Sequence, residues 1–234
     1  MNYSRLAAYN SQPYTGSLGN GTFQTTITAT PSAYYGCCDR LRLTFRLKLD
    51  SSGPRAKAVE VGYLTADIVD KTMELTGKEE GDVAAGRPLW VTELCRDEDD
   101  KKEVACQSRT LFNRGGARRP HLYRFAQQLT GNDRLVHIDT FRIEAAYRSG
   151  KGIGAVALAS FHALLPQLSG GHAYSGTVLL SPGVLWDIRP DFPGMDDGQI
   201  VQKLTDVYIR NGYRVIVRDP EHVRDKMVIM SITV

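Results

Sequence analysis

Residues 40–49, Arg-Leu-Arg-Leu-Thr-Phe-Arg-Leu-Lys-Leu, alternate without a break. Leu41, Leu43, Phe45, Leu47 and Leu49 fall on one side of an extended chain, and Arg40, Arg42, Thr44, Arg46 and Lys48 on the other, which is the period of a half-buried strand. Weaker alternation over 23–30, ended by Pro31, predicts a strand before it. Residues 58–69, after the turn Ser51-Ser-Gly-Pro54, predict its hairpin partner with Val59, Val61, Tyr63 and Leu64 inward. Over 134–144, Leu135, Val136, Ile138, Thr140 and Ile143 interleave with His137, Asp139, Arg142 and Glu144, again the spacing of a strand. The period then changes. Residues 153–165 are rich in Ala and Leu, apolar almost all round and stopped by Pro166, which predicts a well-buried helix. Ile200, Leu204, Val207 and Tyr208 recur on one helical face ahead of Gly212, and 214–218 alternates as a strand once more. Shorter strands are predicted at 174–180 and 227–234, and a short helix at 120–129 with proline in its first turn.

Two stretches break this rhythm. Residues 1–21 hold Asn, Ser, Gly, Gln and Tyr with little periodicity and read as an N-terminal arm, leaving 22–234 as one domain. Residues 72–120 combine scattered glycines, the apolar island Leu89-Trp-Val91, the run Arg96-Asp-Glu-Asp-Asp-Lys-Lys-Glu103 and the basic turn Arg114-Gly-Gly-Ala-Arg-Arg-Pro120. They read as an insertion whose charge run is a solvated loop.

Composition narrows the class without naming a function. A hydrophobic fraction of 42% with 24% charged residues is ordinary for a globular protein, and a net charge of +3 gives no footprint for nucleic acid. The sequence shows neither an apolar run of bilayer-spanning length nor a signal peptide, so a cytoplasmic protein is expected. Cys37, Cys38, Cys95 and Cys106 form no Cys-x-x-Cys pair and are expected as free thiols, with no metal site. Nothing in the chain bears on oligomeric state.

The chemistry gathers at the glycines between the strand ending near Ile143 and the helix that follows. Gly150, Gly152 and Gly154 allow a sharp turn and close approach of a ligand to bare backbone. The free amides and positive dipole end of the next helix then favour an anion, typically phosphate. A Walker-type loop fails, because Gly152 follows Gly150-Lys151 and position 145 is Ala. A dinucleotide fingerprint, Gly150-x-Gly152-x-x-Ala155, is formally present. It lacks the acidic residue expected at the end of the next strand, and too little chain follows to complete a doubly wound sheet.

A third phosphate-binding turn fits better. Ile143-Glu-Ala-Ala-Tyr-Arg-Ser-Gly-Lys-Gly-Ile-Gly154 resembles motif A of the GCN5-related N-acetyltransferases, a strand ending in Val-x-Pro-x-Tyr-Arg followed by Gly-x-Gly-Ile-Gly and a helix. Val207-Tyr-Ile-Arg-Asn-Gly-Tyr-Arg-Val-Ile-Val217 resembles that family's late Tyr-x-x-x-Gly-Phe element. The match departs from the family at Ala145, where proline is usual, and by one extra residue that puts Ser149 where Arg or Gln belongs.

The resemblance implies an α/β fold built on a central mixed, mostly antiparallel twisted sheet flanked by helices, with an insertion before the motif A strand. It implies acetyl transfer from acetyl-CoA to an amine, by direct attack in a ternary complex. Cofactor contacts carry over to Phe141, Ile143, Arg148, Ser149, Gly150, Lys151, Gly152, Ile153, Gly154 and Ala155. Tyr208 carries over as the general acid near sulfur. Asp139 and Glu144, with His137, are the base candidates on the motif strand, and Arg118 and Arg119 are candidates for outlying phosphates of the coenzyme. The acceptor is a small-molecule or protein amine, with no nucleic acid and no membrane implied. Two further readings keep the fold and change the role: a non-catalytic CoA- or partner-binding module, and different chemistry on a CoA thioester such as decarboxylation.

Overall fold

The computed structural model describes residues 5–53, 55–73, 88–95, 102–148, 151–169, 171–184, 188–218 and 228–234. Among these residues eight strands form one sheet: β1 (Arg5–Gly16), β2 (Gly19–Pro31), β3 (Cys38–Leu49), β4 (Val59–Asp70), β5 (Arg134–Ile143), β6 (Thr177–Leu180), β7 (Arg214–Arg218) and β8 (Val228–Thr233). Their order across the sheet is β1-β2-β3-β4-β5-β6-β8-β7. Among the described residues only β5 and β6 pair in parallel. The sheet is therefore mixed and mostly antiparallel, as expected, and not the parallel sheet of a dinucleotide-binding fold.

Among the described residues are five α-helices: α1 (Leu89–Cys95), α2 (Glu103–Leu111), α3 (Ala126–Thr130), α4 (Ile153–Leu164) and α5 (Asp197–Arg210). Two hydrophobic clusters lie on the two faces of the sheet, and adjacent residues of one strand divide between them. Ile68, Val136, Val178 and Met230 join the first cluster; Val69, Leu135, Leu179 and Ile229 join the second. The first is filled by Phe161, Leu158, Leu164 and Ile153 of α4. The second is filled by Trp90 and Leu94 of α1, Leu111 of α2, and Leu122 and Leu129 of the 120–130 helical turn. The 72–120 stretch thus contributes helices that cap one sheet face just before β5; residues 96–101 of its charge run lie outside the described part.

The N-terminal arm is not an arm. Residues 5–16 are the edge strand β1, which lies against α4. Three polar contacts join these first strands to the helix and its flanks: Tyr14 Oη donates to the Lys151 carbonyl at 2.7 Å, Thr25 and Ser160 share a buried hydroxyl bond of 2.7 Å, and the Ser169 amide donates to the Ala7 carbonyl at 3.0 Å. Pro13 is tolerated because an edge strand has one ladder side with no partner to serve.

Two inward assignments also change. β4 carries an extra residue opposite Phe45 and Arg46, so that Tyr63 pairs with Thr44 on the polar face under the Arg42 guanidinium; Val59, at the start of β4 opposite Leu47, is exposed. On α5, Ile200 is buried as expected, whereas Val207 is solvent-facing and Thr205 is buried.

Candidate active site

β5 changes character at Asp139. Thr65 pairs with Thr140 and Ala66 with Ile138, so Asp139 is one residue more than β4 can match. Such a bulge bends its strand and re-aims the side chain. On the opposite edge of β5 the parallel ladder to β6 contains Val136↔Val178, His137↔Leu179 and Ile138↔Leu180, and it stops there. Beyond the bulge, Asp139 to Ile143 have β4 on one side and no strand on the other among the described residues. The two parallel strands therefore open from a common point, leaving a stretch of strand edge with backbone donors and acceptors to offer.

The first turn of α4 sits against this open edge. A Cβ on Gly154 would come 3.9 Å from the Phe141 ring and 4.0 Å from Ile143. Gly152 is the N-cap, in the left-handed region at φ 72°, and a Cβ there would meet nothing within 4 Å. No side chain caps the helix, and the first intrahelical bond runs from the Val156 amide to the Gly152 carbonyl. The amides of Ile153, Gly154 and Ala155 are thus left as donors at the positive end of a 12-residue helix. This fits a diphosphate approaching bare backbone.

The turn is held by its neighbours. The Lys151 carbonyl accepts from Tyr14, and Lys151 Nζ donates to the Ala146 carbonyl. Arg148 faces inward rather than toward the helix amides: its Nε donates to the Ile143 carbonyl at 2.6 Å and its Nη1 pairs with Asp191 at 2.6 Å. Ser149 and Gly150, the other two residues expected here, lie outside the described residues.

On the other face of the sheet the bulge brings a polar cluster together. Arg40 of β3 reaches across two strands, with Nη1 2.6 Å from Asp67 Oδ2 and Nη2 bonded to Asp139 Oδ2. Asp139 also accepts from Thr65 Oγ1 at 3.1 Å and Thr140 Oγ1 at 3.2 Å. Asp67 is 4% exposed, and burial, partly offset by Arg40 and reinforced by Asp139, raises its carboxyl to about 6. These three side chains form the floor of a cavity of about 340 Å³ under the start of α2, with Tyr34, Tyr35 and Lys102 on its rim. A carboxyl raised to about 6, lining a cavity beside a guanidinium, is suited to taking a proton at neutral pH.

The remaining candidates divide between the faces. Tyr208, on α5, packs half-buried against the α4-side cluster, edge-on to Tyr213 with ring centroids 5.7 Å apart. Burial raises its hydroxyl to about 12, so it stays protonated at neutral pH. Glu144 is half-exposed at the end of β5, 3.7 Å from Arg142, and takes no part in the cavity. His137 is sealed under α2 with Nδ1 2.8 Å from Gln107 Oε1. Arg118 and Arg119 belong to the helical layer on the cavity side, where Arg119 Nε donates to the Arg109 carbonyl at 3.0 Å. His162, partly buried on α4, shares a hydrogen bond of 2.8 Å between its Nε2 and the Tyr213 hydroxyl.

Sequence reasoning missed Arg40, Asp67 and Tyr14. Arg40 was grouped with a solvated stripe, and only its cross-strand partners distinguish it from Arg42 and Arg46. Asp67 had a signal: it is the one carboxylate interrupting the apolar run Leu64-Thr-Ala-Asp-Ile-Val69.

No family model matches the chain, and the searches of curated proteins and of solved structures found no match either. No helix among the described residues is long and apolar enough to cross a membrane, and no cluster there offers three metal-ligating side chains.

Proposed function

We propose that the protein is an acyl-CoA-dependent N-acyltransferase, with acetyl-CoA as donor and an amine as acceptor, related to the GCN5-related N-acetyltransferases. One observation carries the reading. The parallel pair β5 and β6 opens at the Asp139 bulge, with an uncapped, glycine-led helix at one side of the opening and a carboxylate-floored cavity on the other sheet face. A thioester supplies an acyl carbon activated for attack, and such a donor needs an anion site, a strand edge and a neighbouring base.

Each part has a residue. The amides of Ile153, Gly154 and Ala155 hold the diphosphate. The open edge of β5 around Phe141 to Ile143 offers an amide to the acyl oxygen as negative charge develops on it. Asp67 and Asp139 act together on the acceptor nitrogen, replacing Glu144 in the role expected from sequence. The acyl carbon–sulfur bond breaks as the carbon–nitrogen bond forms. Of the two protons that an alkylammonium loses, one passes through the carboxylates to solvent. The other follows it, Tyr208 gives its own proton to the departing sulfur, and one proton from solvent restores that hydroxyl, so that one proton is released net. Cysteines held as thiols rather than disulfides, together with a CoA thioester donor, go with a cytoplasmic location.

The test is thermal unfolding with acetyl-CoA, CoA and NAD in parallel, followed by thiol release with and without amines. A rise in Tm with both CoA species and none with NAD, then amine-dependent thiol release, is the expected result. No rise with CoA would sink the glycine-turn assignment; binding without turnover on any amine would leave a CoA-binding module.

A further inference from the structure

The cavity on the β3–β5 face already holds a cation. Lys102, immediately before α2, places Nζ 4.1 Å from the ring centroid of Tyr34 and 5.8 Å from that of Tyr35. Both rings line the same space as Arg40, Asp67 and Asp139. Tyr34 is 72% exposed, so its face is open to replacement of that ammonium by another. The ring quadrupole attracts any ammonium set over it.

The floor asks for a second cation. Two carboxyl groups share one guanidinium there. An ammonium would be drawn to Asp67 and Asp139. The volume of about 340 Å³ is roughly eleven times the ~30 Å³ share of a liquid water, enough for several methylenes between two nitrogens.

We propose that the acceptor in the transfer reaction is a linear di- or polyamine, one nitrogen reaching Asp67 and Asp139 and the next taking the ring faces of Tyr34 and Tyr35 in place of Lys102. The acceptor role rests on the acyltransferase reading; the two ammonium seats do not. Lys102 then acts as an internal competitor, which makes its removal tighten binding. A residue that merely lined the cavity would not behave so.

Titration calorimetry of the full chain without coenzyme, using putrescine, spermidine and n-butylamine as probes, tests this. Both polyamines should bind more tightly than butylamine by about two- to fivefold, the increment of an exposed ammonium–ring contact. Lys102→Gln should tighten putrescine by a similar factor, Tyr34→Leu should remove the preference for putrescine over butylamine, and Asp139→Asn should weaken all three. Equal affinity for butylamine and putrescine, or a Lys102→Gln variant that binds putrescine no better than the parent, overturns the proposal. If the polyamine pattern is found but acetyl-CoA gives no thermal stabilisation, the seats stand and the acyl-transfer reading falls.

Discussion

Replacing His137 with asparagine should change how stability depends on pH, by an amount that follows from where the imidazole sits. His137 is 1% exposed beneath α2, its Nδ1 faces Gln107 Oε1, and its Nε2 has no partner among the described residues. Gln107 donates its own amide to Glu103 Oε1 at 2.9 Å, so its oxygen is left to accept from Nδ1–H and the ring is neutral. Burial depresses the folded pKa to about 3, against about 6.5 in the unfolded chain. Below pH 6.5 the unfolded chain therefore takes up a proton that the folded chain refuses. Stability falls with falling pH, by about 1.4 kcal/mol per unit from this group alone.

Two other groups act in the same window. His162, depressed to about 4 by burial, has the same sign. Asp67, raised to about 6 from an ordinary 3.8, has the opposite sign: the folded chain holds its proton longer, a gain fully present below 3.8 and lost as pH rises through 6. From about pH 6 to about pH 4 the three leave a net uptake of one proton on unfolding, or about 3 kcal/mol over two units. His137→Asn keeps a donor for Gln107 and removes the titration, so its stability should be nearly flat across that window, on top of a uniform loss of about 1–3 kcal/mol for imperfect packing and pairing. Urea unfolding at half-unit steps of pH measures both slopes. A variant whose slope equals that of the parent refutes the buried, neutral imidazole.

Three further outcomes follow from named contacts. Thr25→Val strands the buried Ser160 hydroxyl and should cost about 1–3 kcal/mol, much of it recovered in Thr25→Val/Ser160→Ala, as read from urea midpoints. Gly152→Glu puts a strained left-handed residue and a negative charge at the start of α4; it should abolish the acetyl-CoA-dependent rise in Tm while the far-ultraviolet spectrum is unchanged. Tyr208→Phe should lower kcat about tenfold or more with acetyl-CoA affinity retained; unchanged kcat would remove it from the chemistry.

The sequence was most legible where one face is wholly apolar. β3 reads directly because its alternation is unbroken and its core side holds only Leu and Phe. β1 was hidden because the residues it half-buries include Asn10 and Gln12, acceptable at a sheet edge but invisible to a hydropathy pattern. The helices of 89–95 and 103–111 are too short for a decisive period, and the charge run between them outweighed their apolar faces. Of the candidate site, the glycine turn and the helix behind it were visible because chain geometry demands glycine at Gly152. The cavity was not, because Arg40, Asp67 and Asp139 lie far apart in sequence and meet only through strand register.

That register has one pivotal residue. From Val136 to Ile138, β5 is paired on both edges and its side chains are buried. Asp139 is then the unmatched residue, and three things change together. Pairing to β6 stops, the next side chains on the α4 side turn to the glycine-led helix start, and the Asp139 carboxylate joins Arg40 and Asp67 on the other face. β6 itself ends at Leu180, so the β5 edge beyond Ile138 has no strand partner among the described residues at the same place where the bulge re-aims Asp139. Arg40 accounts for the stability of the arrangement, since a single guanidinium spanning β4 and β5 neutralises one of two charges and ties the bulged strand to its neighbours. The open edge beside α4 and the carboxylates of the cavity therefore lie on the two sides of the same strand position, the Asp139 bulge.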